Sequence, residues 1–203
     1  MPGNCGSNQS QFEEADASSH PPGLKTSRTL QNIILIGMPG AGKSTMGVIL
    51  AKALGRTFID TDLAIQEKTG RLLQEIIDTE GADAFKKIEE ETVLSLRFKN
   101  AVIATGGSVV FSEKAMEYLR KDGIVVYLAI SFVVMEKRLM DITTRGIVLV
   151  AGESLRDMYN ERVPLYGKYA DITIDCSDED FETVVGQVVD AIRQARPPGT
   201  RSR

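Results

Sequence analysis

A chain of 203 residues with 42% hydrophobic composition can form one domain with a substantial core and leaves little for a second. Its formal net charge of −4 argues against the basic surface on which nucleic-acid backbones are held, so small molecules are the expected partners. The two cysteines, Cys5 and Cys176, make no disulfide framework and suit a reducing compartment.

Residues 1–30 are rich in Ser, Gly, Pro, Asn and Gln and are expected to be a disordered tail, because they bury too little apolar area to offset ordering their backbone. This stretch holds the only histidine, His20, so histidine acid–base chemistry is not expected in the folded part. It has no signal-peptide-like apolar run, and Glu13, Glu14 and Asp16 speak against a transit peptide. No segment approaches the roughly 20 apolar residues of a membrane span, and a cytoplasmic protein is expected.

The next segment is the most informative. Asn32 to Ile36 (NIILI) reads as a buried strand, Gly37 to Thr45 (GMPGAGKST) as a phosphate-binding loop, and Ser44 to Leu54 as a helix stopped by Gly55. Strand, glycine turn and helix arrive in the order that anion binding requires. Glycines let the backbone wrap a triphosphate and aim its N–H groups inward. Gly40, Ala41, Gly42, Lys43, Ser44 and Thr45 are therefore expected to bind nucleotide. Lys43 and the positive helix end face the β- and γ-phosphates, Ser44 offers a hydroxyl to Mg²⁺, and Thr45 reaches a more internal phosphate.

Thr57 to Ile59 follows as a short strand with Asp60-Thr61-Asp62 at its end, then helices at Leu63 to Lys68, Leu73 to Thr79 and Ala82 to Phe98. The last of these puts Phe85, Ile88, Thr92 and Leu96 on one stripe and its charged positions on the other faces, most of them solvated. Ala101 to Ala104 (AVIA), bounded by Thr105-Gly106-Gly107-Ser108, suits a parallel strand buried on both faces. A helix capped by Ser112, a strand at Ile124 to Ala129 and a helix at Ser131 to Met140 come next. An irregular stretch from Asp141 to Glu153, a helix from Ser154 to Val163, a strand at Ile172 to Ile174 and a helix at Phe181 to Arg193 complete the order, before a loose tail at 196–203. Alternating strands and helices indicate an α/β fold, a parallel sheet covered on both faces, with ligands at the carboxyl ends of its strands.

Asp60 and Asp62 stand at such an end. Phosphoryl transfer needs a cation across the β- and γ-oxygens and a group that orients and deprotonates the attacking hydroxyl, and the two carboxylates could divide that work. On spacing alone Asp62 could instead cap the next helix.

GMPGAGKST, FIDTD (58–62), FKKIEEE (85–91), ATGGS (104–108), TRG (144–146) and ERVPLYGKYAD (161–171) follow, in order and spacing, the motifs of the shikimate kinases, which the chain resembles from Asn32 to Arg193. The resemblance implies a P-loop kinase domain at 31–195, a three-layer α/β/α sandwich with a five-stranded parallel sheet and a mobile lid at about 141–153. It also implies transfer of the γ-phosphoryl of ATP to the 3-hydroxyl of shikimate with Mg²⁺, by a monomer. Asp60, with Ser44, would act on Mg²⁺ through water, and Asp62 would hold the substrate hydroxyls as the candidate base. Arg162 would bind the substrate carboxylate with its guanidinium fork, alongside Lys86, Gly106 and Gly107. Arg145 would be the lid arginine over the phosphates, and Arg138 the arginine stacked on adenine. Without the resemblance, Arg162 reads as a surface ion-pair residue and Arg138 as a solvated one.

Three departures fall on the acceptor side. Lys86 stands where the family usually has a second carboxylate-binding arginine, Ser108 where it has the third glycine of a triplet, and Gly146 where it has the lid proline. Lysine keeps charge but not the bidentate geometry. Serine costs of order 1 kcal/mol if its position needs φ > 0, and otherwise adds a contact. A glycine loosens the lid. Two other functions stay open at this level: a kinase of another small hydroxylated anion, and a nucleotide-binding protein without turnover.

Overall fold

The computed structural model describes residues 31–140, 154–177 and 180–195. Both expected tails, and the lid segment 141–153 with Arg145 and Gly146, lie outside the described residues. Strand β1 (Asn32–Ile36) is buried at all five positions, as an uninterrupted apolar run demands. Each of its large side chains contributes about 1.5–3 kcal/mol by leaving water. On one flank β1 pairs with β3 (Ala101–Ala104) and then β2 (Thr57–Asp60), on the other with β4 (Gly123–Ala129) and then β5 (Ile172–Asp175). All four pairings are parallel, with Leu35 level with Ala104 and Val126, and Asp60 level with Ala104. The chain first winds to the β2 side of β1 and later to the β4 side, so the strand order reverses at β1 and leaves a crevice at its carboxyl end.

Helices α1 (Lys43–Leu54) and α8 (Phe181–Gln194) pack together beside β2, β3 and β5, while α5 (Glu113–Lys121) and α7 (Leu155–Tyr169) pack on β4. Helix α6 (Phe132–Met140) packs on α7. Helices α2 (Thr61–Thr69), α3 (Leu73–Glu80) and α4 (Ala82–Ser95) assemble around a satellite core of Ile65, Ile76 and Phe85, separate from the main one.

Three expectations need correction. Helix α4 ends at Ser95, and its buried stripe is Phe85, Glu89, Thr92 and Val93. Ile88 and Leu96 are only half-buried, and one of the charges read as solvated is inside. Helix α7 does not stop at Val163 but carries Pro164 in its interior and runs to Tyr169. The packing of Arg162, Tyr166 and Tyr169 outweighs the backbone bond that proline removes. Helix α2 begins at Thr61, which places Asp62 in its first turn, and the cap is Asp60.

Candidate active site

The phosphate loop leaves β1 and enters α1 through Gly42, whose φ of 85° is left-handed and suits glycine. Ala41 N–H donates to Met38 O (3.1 Å), closing the loop on itself. No side chain caps α1. The N–H groups of Lys43, Ser44 and Thr45, being in its first turn, have no intrahelical acceptor and present a positive end. Lys43 Nζ donates to Gly37 O (2.8 Å) and Met38 O (3.0 Å), which ties the ammonium across the mouth of the loop. Beside the loop, Arg138 donates to Gly40 O and Cys176 O (each 3.2 Å), and the Phe181 ring lies 3.3 Å from where a Cβ on Gly42 would sit. Arg138 is thus a loop-bound residue rather than a solvated one.

Asp60 Oδ1 accepts from Asp62 N (3.0 Å) and Leu63 N (3.4 Å). The capping duty weighed for Asp62 therefore falls on Asp60, and Asp62 projects from the first turn. Between them Thr61, fully buried, accepts from Gly106 N at 3.0 Å and bolts the glycine turn after β3 to the start of α2. Thr105 holds the same turn to β1 by donating its hydroxyl to Leu35 O (3.0 Å). Lys43, Ser44, Asp60, Asp62 and Gly107 consequently line one cleft of about 400 Å³.

Arg162 is 2% exposed, which removes the surface ion-pair reading. Its Nη1 lies 3.3 Å from the Cβ position of Gly107. One turn on, Tyr166 donates its hydroxyl to Gly107 O at 2.6 Å and stacks on Tyr127 with centroids 5.1 Å apart. Burial pushes the Tyr166 phenol far above its ordinary value, so it remains a neutral donor. Lys86 does not line the cleft that Asp62 lines. It borders a smaller one of about 180 Å³ with Glu89, Ser108 and Phe111, its Nζ being 4.7 Å from the Phe111 ring centroid and 3.6 Å from Asp83 Oδ1. The Arg162 guanidinium is 5.5 Å from the same ring, so the two cations converge on Phe111.

Ser108 has φ −94° and bears no backbone strain; its hydroxyl adds a contact, donating to Glu89 Oε2 at 2.6 Å. Glu89 is 2% exposed. Burial is the main cause that pushes its carboxyl up to about 8; the Asp62 charge adds to this, while Ser108, Arg162 and Lys43 oppose it. Sequence reasoning missed Glu89, Thr61, Phe111 and the anchoring role of Tyr166. The one available signal for Glu89 was its place one turn after Phe85, on the buried face.

A parallel sheet with a glycine loop at its order reversal, a lysine and a hydroxyl on the helix end, and two carboxylates across the cleft define a P-loop small-molecule kinase. The family model for shikimate kinase matches residues 39–193. The shikimate kinase of Haemophilus influenzae (strain PittEE) is 38% identical over 166 residues, 80% of this chain and 92% of that relative. That of Thermodesulfovibrio yellowstonii is 38% identical over 163 residues, 79% of this chain and 94% of its own length. Among solved structures, shikimate kinase from Acinetobacter baumannii in complex with shikimate superposes with a TM-score of 0.75 at 33% identity, covering 83% of this chain and 97% of that one. The chain belongs to the shikimate kinase family.

Proposed function

We propose that the protein transfers the γ-phosphoryl group of ATP to the 3-hydroxyl of shikimate. The observation that carries this reading is the meeting of Lys43, Ser44, Asp60 and Asp62 in one cleft, with Arg162 buried behind the glycine turn that borders it. Lys43 and the first N–H groups of α1, with Gly40, Ala41, Gly42 and Thr45, hold the triphosphate. Arg138, lying beside Gly40, borders the adenine. Ser44 and Asp60 share the cleft and offer oxygen donors, which suits a hard divalent cation completed by phosphate oxygens and water. When bound, Mg²⁺ supplies neutralisation of the developing charge on the β- and γ-oxygens.

Asp62 orients the 3-hydroxyl and receives its proton, while Arg162 binds the carboxylate, with Lys86 adding charge at longer reach. Gly106 and Gly107 let the acceptor lie close to the main chain. Arg145 completes the phosphate clamp from the lid. The residues doing this work belong to a domain spanning 31–195. The net charge of −4 supports small-molecule partners, the lack of a disulfide framework supports a reducing, cytoplasmic compartment, and the family likeness supports a monomer. Among the described residues no helix is long and apolar enough to cross a membrane.

Purified protein should form ADP from Mg²⁺-ATP only when shikimate is present. Asp62→Asn should lose about 10²–10⁴ in kcat, as expected for a missing general base, with binding of a fluorescent ATP analogue retained. Turnover surviving in that variant would remove Asp62 from the mechanism.

A further inference from the structure

The glycine turn separates the two clefts: Gly107 borders the larger and Ser108 the smaller. A Cβ built on Gly106 would stand 2.1 Å from Glu89 Oε1 and 2.8 Å from Asp62 Oδ1, so both oxygens border the same small space beside that residue. Ser108 fixes Glu89 Oε2, whereas Glu89 Oε1 is buried with no hydrogen-bond partner among the described residues. A buried carboxyl with one oxygen held and the other turned toward a carboxylate is disfavoured as an anion.

We propose that Ser108 and Glu89 form a positioning pair for Asp62. The Ser108 hydroxyl sets the Glu89 rotamer, and Glu89 as a neutral acid turns its Oε1–H toward Asp62 and holds that carboxylate against the acceptor hydroxyl. The pair rests on the kinase reading above but adds a device that depends on Ser108, which stands where the family usually has a glycine.

The surroundings of Glu89 favour the neutral acid. Burial is the larger cause, and the Asp62 charge approaching from α2 adds to it. Lys43 from α1 and Arg162 from α7 act in the opposite sense, and Tyr166 of α7 is a neutral neighbour. From α5, Lys114 is engaged by Glu90, at 3.6 Å. On α3, Glu75 accepts from Leu72 N, Asp78 from Gln74, and Glu80 pairs with Arg71. On its own helix, Lys86 turns to Asp83 and Phe111. Once Glu89 ionises, two carboxylates share the space beside Gly106 and Asp62 is driven off its aim.

The test is the pH dependence of kcat/KM for shikimate. Wild-type protein should lose activity above a pH of about 8, where Glu89 ionises, approaching a tenfold loss per pH unit. Glu89→Gln, which imitates the neutral acid, should lack that limb, and KM for ATP should not follow it in either protein. Ser108→Ala removes a contact that favours the anion, so the limb should move to higher pH while acceptor kcat/KM falls several-fold. Ser108→Thr, which keeps the hydroxyl, should restore both. A second readout needs no acceptor. In carbon-13 spectra the Asp62 carboxyl resonance should shift near pH 8 in the wild type and not in Glu89→Gln. An unchanged alkaline limb in Glu89→Gln, or an Asp62 resonance blind to Glu89, would overturn the proposal. Wild-type protein inactive on shikimate would instead refute the substrate assignment, leaving the resonance to decide the pair.

Discussion

Glu89→Gln is expected to stabilise the folded protein increasingly as pH rises. The Glu89 carboxyl is 2% exposed and is pushed from an ordinary 4.5 up to about 8 by burial and, to a lesser degree, by Asp62. Between those values the folded chain keeps a proton that the unfolded chain has released. The free energy of unfolding therefore falls with pH, by at most about 1.4 kcal/mol per unit. The contribution is fully present below 4.5, declines through the window and is gone above about 8. Over the whole window the loss is on the order of 5 kcal/mol. Glutamine does not titrate, its carbonyl still accepts from Ser108, and its N–H can face Asp62. Urea unfolding at pH values from about 5 to about 9 should give midpoints for the two proteins that diverge up to about pH 8 and then level off, the variant being the more stable at the alkaline end. A difference that stays constant across that range would refute the account, because it would mean that Glu89 titrates alike folded and unfolded.

Lys86→Arg should lower KM for shikimate several-fold and leave KM for ATP unchanged, since the planar fork reaches a carboxylate better than an ammonium drawn toward Phe111 and Asp83. An unaltered acceptor KM would take Lys86 out of the carboxylate subsite. Gly47→Ala probes the packing behind the phosphate loop: a Cβ there would meet Phe58 Cε2 at 2.4 Å. Overpacking of about 1–3 kcal/mol, offset by about 1 kcal/mol of helix propensity, should lower Tm by a few degrees. A raised Tm would show that Phe58 yields freely.

The fold was legible because its determinants are local. NIILI and AVIA are short apolar runs with glycine turns behind them, and both strands fall on the residues expected, Asn32–Ile36 and Ala101–Ala104. The nucleotide loop was legible for a related reason, its function being carried by main-chain N–H groups that glycine spacing announces. Element ends were less so. The Pro164 rule predicts a break, but α7 anchors itself beyond the proline through Tyr166, whose partner Gly107 is 59 positions away in sequence. The division of labour in Asp60-Thr61-Asp62 was half visible: two carboxylates near a strand end are conspicuous, but which one caps the helix depends on where the helix starts. Glu89 was hidden within three consecutive glutamates, because its burial is set by Ser108 and Gly106, which belong to another element.

The two halves of the site therefore differ in how freely they can change. The nucleotide half is written in backbone: a side chain on Gly37 would come within 2.5 Å of Leu128 O, and Gly42 requires a left-handed φ, so replacement there strains the sheet and the helix start together. The acceptor half is written in buried side chains hung on one turn, with Thr61 and Tyr166 bolting Gly106 and Gly107 from two helices. Those bolts use backbone groups of the turn and leave residue 108 free to vary. A serine could enter at φ −94° without strain and take Glu89 as its partner. That is a physical reason for the departures from the family pattern at Lys86 and Ser108 to gather where the acceptor binds while the phosphate loop stays whole.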